Sequence, residues 1–169
     1  MVDVAAEGFD IAVRIASELA LSDIVRKIGE CQLLFVASPD YIARAGEPTC
    51  LEDLTEHECL QYLHYSRWMF SENGKNISIQ LKGRIKANNG DALAKASAAG
   101  MGISLMPDFI AHDYLLAQTL VELRHLEPQP PVGIYVVLPS NSYIPERVRL
   151  LVDYLSEQLM RSSRFTLSR

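Results

Sequence analysis

The sequence lacks three features that would point to nucleic acid, export or a membrane. It has no basic excess: 16 Lys and Arg against 21 Asp and Glu leave a net charge of −5. The chain by itself therefore does not offer the basic face that duplex DNA requires. No apolar run approaches the ~18 residues of a membrane span, and Met1-Val2-Asp3 opens without the basic and apolar stretches of a signal peptide. We expect a soluble, cytoplasmic protein with no membrane partner.

Cysteines are few, and their spacing suggests no pairing. Cys31, Cys50 and Cys59 are odd in number and widely separated, which argues against a disulfide framework. His57 and Cys59 are close enough in sequence to share a metal ion, but no second close pair completes a four-ligand set. We expect these residues to serve ordinary packing, and we expect the chain to hold no metal or other cofactor.

Catalytic motifs are also missing. The sequence contains no Gly-x-Ser-x-Gly, no phosphate-binding loop and no His-Glu-x-x-His. Gly100-Met101-Gly102 lies between a predicted helix and the following strand, whereas the dinucleotide fingerprint lies between a strand and the following helix. We do not expect an enzyme. A catalytic pair that is assembled only in three dimensions stays open as the minor alternative.

What the chain does have is the composition of a globular protein: 49% apolar and 22% charged residues. Residues 9–15 alternate apolar and polar side chains, which predicts a strand. Residues 17–26 suggest a loop or an irregular helix. A second strand is predicted over residues 28–37, and its apolar end, residues 33–37, indicates burial on both faces.

The middle of the chain predicts a hairpin followed by an irregular strand. Asn73-Gly74 lies between two apolar runs and is a strong turn signal. Residues 77–87 alternate apolar and polar side chains, and Gly83 interrupts them as a candidate β-bulge. Near the end, Pro145 opens a predicted helix whose apolar side chains recur at helical spacing up to Leu159.

The stretch from Asn88 to Asp108 carries most of the functional argument. Asn89 is a fair helix N-cap, Asp91 lies in the first turn, residues 92–99 are rich in helix formers, and Gly100 is the expected stop. A short buried strand, residues 103–106, follows, and Pro107 opens another helix. Two helix N-termini therefore lie close together around one strand, and such places in open α/β sheets bind small ligands.

Two interpretations of this corner remain open. The helix could simply be capped, with no ligand, or the N–H groups of Gly90 and Asp91 could receive a carboxylate or another anion. The Asp91 side chain counts against an anion and would favour an amine or a hydroxyl instead. Trp68, which follows Tyr65, suggests core or hairpin packing first and a pocket wall second.

Four segments resemble one family. Residues 7–15, 33–41, 88–93 and 98–107 look like the effector-binding domain of LysR-type transcriptional regulators. They occur in the family's order and spacing, and the resemblance extends from about Val2 to Leu159.

The resemblance implies an α/β, periplasmic-binding-protein-like fold of two lobes with two crossover strands. Lobe one would hold residues 1–38 and 135–169, and lobe two residues 39–134. Family members begin with a helix-turn-helix DNA-binding domain and a first strand–helix–strand of lobe one. Both are expected to be absent from this chain, which leaves lobe one incomplete and the strand of residues 9–15 with an open edge, an aggregation liability.

The function implied by the resemblance is ligand sensing. A small metabolite would bind between the lobes and control transcription, in a homodimer or tetramer that contacts DNA only through the absent helix-turn-helix domain. The alternative is a stand-alone solute-binding protein of the same fold. The predicted effector-binding residues are Ser38, Asn89, Gly90, Asp91, Met106 and Pro107, with Tyr65, Ser66 and Trp68 as second-rank wall residues.

The charge balance gives the first testable prediction. This 169-residue chain alone is expected to show no specific DNA binding at physiological salt, because it lacks the cations that neutralise phosphates. An electrophoretic mobility shift assay with the promoter fragment that the complete regulator binds measures this. Sub-micromolar retention of that fragment by this chain would overturn the prediction.

Overall fold

The structure is a computed structural model that describes residues 9–16, 24–63, 67–72, 75–126, 130–138 and 144–161. The chain forms two compact units. Residues 1–31 and 131–169 belong to the first and residues 32–130 to the second.

The first unit contains a three-stranded antiparallel sheet and one helix. The strands are β1 (Ala12–Ala16), β2 (Ile24–Cys31) and β10 (Val132–Leu138), and β10 lies between the other two. Helix α4 (Glu146–Arg161) packs on β2. Residues of α4 four apart, Val148, Val152 and Ser156, are buried, as expected for one face of a helix.

Several strand boundaries differ from the sequence prediction. The strand predicted over residues 9–15 begins only at Ala12. The single strand predicted over residues 77–87 is two strands, Lys75–Gln80 and Lys86–Ala87, which lie in different sheets, so local alternation joined two separate elements.

Strand β2 already begins at Ile24, inside the stretch predicted as loop or irregular helix, and residues 17–23 lie outside the described residues. The single strand predicted over residues 28–37 is two strands, because Gln32 separates β2 from β3 (Leu33–Ala37). Local alternation could not reveal this break, since it falls where the chain passes from one unit to the other. The predicted lobe boundaries at 38/39 and 134/135 stay a prediction.

The second unit is built on a five-stranded mixed sheet in the order β7-β4-β8-β3-β9. The strands not yet given are β4 (Cys59–Tyr62), β7 (Lys86–Ala87), β8 (Ile103–Pro107) and β9 (Val121–Glu122). Strand β4 is parallel to both β7 and β8, whereas β3 is antiparallel to β8 and β9. The chain runs from β7 through a helix to β8, which lies on the other side of β4. This is the crossover connection that parallel strands of one sheet require.

Helices and a hairpin cover this sheet. The helices are α1 (Pro39–Ala45), α2 (Gly90–Ala98) and α3 (Asp108–Leu116), and a 3₁₀ turn spans Glu52–Thr55. The hairpin joins β5 (Arg67–Glu72) to β6 (Lys75–Gln80). The hairpin is confirmed, although the turn residues Asn73 and Gly74 lie outside the described residues.

Two apolar clusters hold the second unit together. Phe35 packs with Trp68 and Phe70 in one cluster, and Val36 packs with Met106 in the other. Because Phe35 and Val36 are neighbours in β3, their side chains point to opposite faces of the sheet. The sheet is therefore buried on both faces, as the apolar run of residues 33–37 predicts.

The Gly83 bulge is confirmed by hydrogen bonds to β4. The N–H groups of Cys59, Gln61 and Leu63 donate to the carbonyl oxygens of Lys82, Ile85 and Ala87 at 2.9, 3.1 and 2.8 Å. The step from 82 to 85 is one residue longer than its counterpart on β4, which defines a bulge. The extra residue sets the position of β7 and hence of the start of α2.

Substitution of Gly83 tests how closely this segment approaches β4. A Cβ at Gly83 would collide with the Cys59 carbonyl oxygen, whereas a Cβ at Gly46 meets nothing within 4 Å and is opposed only by the φ of +84°. Gly46→Ala should cost about 1 kcal/mol of unfolding free energy, and Gly83→Ala clearly more, because backbone must move. Urea unfolding measures both, and equal losses would contradict the bulge geometry.

Candidate functional site

The candidate site lies at one edge of the five-stranded sheet. Strands β4, β7 and β8 are parallel, so their carboxyl ends meet at the same edge. Helix α2 begins three residues after β7, and α3 begins directly after β8. We call this edge the carboxyl-end corner and define it by residues Tyr62, Asn89, Gly90, Asp91, Pro107, Asp108 and Ile110.

Gly90 joins three elements at this corner. A Cβ at Gly90 would meet the Tyr62 hydroxyl at the end of β4 and the Ile110 Cδ1 of α3, the latter at 2.6 Å. A residue with a side chain would have to displace the tips of both neighbouring side chains, so glycine lets α2 begin against them without that displacement. The glycine therefore brings a phenol hydroxyl to the N-terminus of α2.

Asn89 caps α2. Its Oδ1 accepts hydrogen bonds from the N–H groups of Asp91 and Ala92, at 2.8 and 3.4 Å, as an N-cap amide does. The structure shows the predicted cap, and ligand binding beside it stays a prediction. The Asp91 N–H is already used by this bond, while the Asp91 side chain is exposed. The corner consequently presents side chains, more than bare amides, to a ligand.

Asp108 adds a buried carboxyl group. It is the first residue of α3 and only 2% exposed. Its Oδ1 accepts the Phe109 N–H at 2.8 Å, and its own N–H donates to the Gln32 carbonyl oxygen at 2.9 Å. Burial raises the pKa of the Asp108 carboxyl, with backbone N–H groups and His112 acting in the opposite direction.

The structure does not bring all the predicted residues together. Ser38 caps α1, where its Oγ accepts the Tyr41 N–H at 3.1 Å, and its hydroxyl lies beside Gly100. Gly100 follows the last turn of α2 whereas Gly90 begins it, so about 13 Å of helix separates Ser38 from Gly90. Ser38 therefore lies outside the carboxyl-end corner, and its contact with a ligand stays a prediction.

The structure does not bring the second-rank wall residues together in the corner either. Trp68 is 6% exposed, and its ring centroid lies 5.7 Å from that of Phe35 and 6.4 Å from that of Phe70. This is the core packing that the sequence favoured. Tyr65 and Ser66 lie outside the described residues. Met106 is fully buried in the second apolar cluster, and Pro107, buried as well, ends β8.

Sequence reasoning missed Tyr62, Asp108 and Ile110 as members of the corner. Tyr62 is the last residue of β4, and its position becomes informative only once β4 is known to lie beside β7. Asp108 stood in the stretch that the sequence singled out, but there it suggested only a helix start. Among the described residues no group of three or more His, Cys, Asp and Glu side chains could hold a metal ion.

The comparisons with known proteins decide the family. The LysR substrate binding domain model matches residues 1–160. The chain belongs to the LysR substrate-binding domain family. PtxR, a helix-turn-helix-type transcriptional regulator of Pseudomonas aeruginosa, is 32% identical over 164 residues, 94% of this chain and 52% of that protein. An uncharacterised regulator of the same type from Haemophilus influenzae is 31% identical over 150 residues, 87% of this chain and 52% of that protein.

Solved structures of this family have the same fold. The regulatory domain of AphB in Vibrio vulnificus is 31% identical with a TM-score of 0.71, covering 90% of this chain and 76% of that one. CrgA of Neisseria meningitidis has a TM-score of 0.77 at 22% identity, covering 92% of this chain and 54% of that one, and this likeness concerns the fold alone. The periplasmic-binding-protein-like α/β fold predicted from the resemblance is confirmed. The chain spans about half the length of the curated relatives it matches.

The contact of Gly90 with Tyr62 gives a prediction for the LysR-family chain. Gly90→Ala should lower the unfolding free energy by about 1 kcal/mol, the low end for overpacking, because the new methyl group must displace the tips of the Tyr62 and Ile110 side chains. Tyr62→Phe removes one of these obstacles. The double variant should therefore lose less than the sum of the two single variants. Thermal unfolding of all four proteins measures the coupling, and strict additivity would refute the contact.

Proposed function

We propose that this chain is the ligand-sensing part of a LysR-type transcriptional regulator and binds a small metabolite. The family match over residues 1–160 carries the proposal. The relatives that match at 31% and 32% identity are named transcriptional regulators, not enzymes, which supports a regulatory role without catalysis. They also favour this role over a stand-alone solute-binding protein of the same fold.

We place the effector at the carboxyl-end corner. Ligands of open α/β sheets bind outside the carboxyl ends of the strands, and three parallel strands of this chain end there. Asn89, Gly90, Asp91 and Pro107 of the predicted set belong to this corner, and Met106 underlies it. The corner adds the Tyr62 hydroxyl. An effector acts there by binding one arrangement of the domain more tightly than another.

Assembly and DNA binding are proposed for the whole regulator. DNA contact belongs to a helix-turn-helix domain outside these residues, and the regulator works as a homodimer or tetramer in the cytoplasm. Among the described residues, no helix is both long enough and apolar enough to span a bilayer. Large apolar side chains stand exposed in the first unit, and such side chains favour a protein interface: Val13 (52%), Ile15 (41%), Leu150 (63%), Leu151 (43%) and Tyr154 (58%).

The effector site is tested by substitution at the mouth of α2. Asn89→Ala and Asp91→Ala should weaken the effector response while the melting temperature falls by only a few degrees, since loss of a cap costs ~1 kcal/mol. The measurement is a thermal-shift titration with a hit from a metabolite panel, paired with a promoter reporter for the complete regulator.

Asp40→Ala is the matched control, because Asp40 is also an exposed acidic residue in the first turn of a helix, α1. It should leave the effector response at the wild-type level. If the wild type, Asn89→Ala and Asp91→Ala bind the hit with equal affinity, the assignment of the corner is wrong while the regulatory function stands. If no metabolite shifts the wild type and none changes reporter output, the function itself fails.

A further inference from the structure

Tyr41 links helix α1 to the segment that enters β4. The side chain is 4% exposed, and its hydroxyl oxygen lies 3.0 Å from the His57 Nδ1 and 3.1 Å from the Glu58 backbone nitrogen. The Tyr41 and His57 rings are also in contact, with centroids 5.8 Å apart. One phenol group therefore joins α1 to two consecutive residues just before β4.

The direction of each hydrogen bond follows from the groups present. The Glu58 N–H can only donate, so the Tyr41 oxygen accepts there. The single hydroxyl proton of Tyr41 is then left for the His57 Nδ1. A bond in this direction corresponds to a neutral imidazole that carries its proton on Nε2, and this is the tautomer that the latch uses.

We propose that Tyr41 and His57 form an acid-sensitive latch between α1 and the entrance to β4. When His57 is protonated, Nδ1 carries a hydrogen and can no longer accept from Tyr41. The Tyr41 oxygen would face two N–H donors, and its own hydroxyl proton would lose its acceptor in a buried position. A buried donor without a partner is destabilising, so protonation opens the latch.

The charged group that acts on His57, Asp53, does not reverse the effect of burial on its pKa. Asp53 of the 3₁₀ turn favours a protonated His57, but burial outweighs it and lowers the pKa of the His57 imidazole. The Asp53 carboxylate accepts the N–H groups of Thr49 and Cys50, which hold the pKa of Asp53 at about 2. It therefore keeps its charge throughout the range in which His57 titrates.

The remaining charges near the latch have other partners. The Arg44 guanidinium lies 5.6 Å from the centre of the Tyr41 ring and donates to the Gly100 carbonyl oxygen at 2.7 Å. Glu58 pairs with Arg84 at 3.2 Å, and Glu56 pairs with Lys82 at 3.4 Å. None of these contacts supplies an acceptor for the Tyr41 hydroxyl proton.

The effect of opening the latch extends to a second strand, β8. The Glu58 carbonyl oxygen accepts the Ile103 N–H at 2.9 Å, and a Cβ at Gly102 would collide with this same oxygen. Tyr41 thus holds the N–H of the same residue, Glu58, whose carbonyl oxygen meets the start of β8. Protonation of His57 changes the packing at the entrances of β4 and β8 together.

The pH dependence has a definite sign. His57 has a lower pKa in the folded protein than its ordinary value of 6.5, so the unfolded chain binds more protons between these two values. The stability that the latch contributes is complete above pH 6.5. It is lost as the pH falls from there through the folded pKa.

Nuclear magnetic resonance of the whole ¹⁵N-labelled chain tests the latch. At pH about 7.5 the His57 ring should carry its proton on Nε2. On acidification the amide signals of Glu58 and Ile103 should shift with the same midpoint as His57, below 6.5. The amide of Tyr154, an exposed residue of α4, is the control within the same spectra and should not shift with the His57 midpoint.

Tyr41→Phe separates the latch from simple packing. Without the hydroxyl, the His57 midpoint should rise by about one pH unit or less, and the Glu58 amide should no longer follow it. Tyr154→Phe, at an exposed tyrosine of α4, should change neither. A proton on Nδ1 of neutral His57, a Glu58 amide that ignores the His57 titration, or unchanged coupling in Tyr41→Phe would each overturn the proposal. If Tyr41→Phe does not fold, the two wild-type observations decide.

Discussion

The parallel pairing of β4 with both β7 and β8 is the constraint on which the candidate site depends. Parallel neighbours end at the same edge of a sheet, and each continues into a connection at that edge. The pairing therefore gathers Tyr62, the start of α2 and the start of α3, which are far apart in sequence. The extra residue of the Gly83 bulge and the lack of a side chain at Gly90 allow close contacts between these elements. A side chain at position 83 would collide with the Cys59 carbonyl oxygen, so the close approach of this segment to β4 depends on Gly83.

Much of this could be predicted because the signals are local. Asn89 as a cap, Gly100 as a helix stop, the bulge at Gly83 and the hairpin of β5 and β6 each rest on a few adjacent residues whose backbone preferences are strong. The family follows from four such segments in the right order. The structure and the comparisons agree with the sequence on these points.

What could not be predicted depends on which face or end of an element a residue occupies. Ser38 and Asn89 both cap helices, but the antiparallel direction of β3 relative to β8 places Ser38 at the far end of α2 from Asn89. Trp68 is buried by Phe35 and Phe70, and Phe35 lies more than thirty positions earlier in the chain. Tyr62 and Asp108 carry no motif at all. Their proximity is a product of strand order, which no local pattern encodes.

If the effector binds at the corner, as proposed, the residues there favour one kind of effector. A helix N-terminus attracts anions when its N–H groups are free, but Asn89 already accepts those of Asp91 and Ala92, and Asp108 accepts that of Phe109. An anionic effector that used these N–H groups would have to displace the bonds, and it would lie beside two carboxyl groups. A hydroxyl or amine group could instead donate to Asp91 and keep both caps intact. The same residues that make the two helices begin where they do therefore favour a hydrogen-bond donor over a carboxylate at this edge.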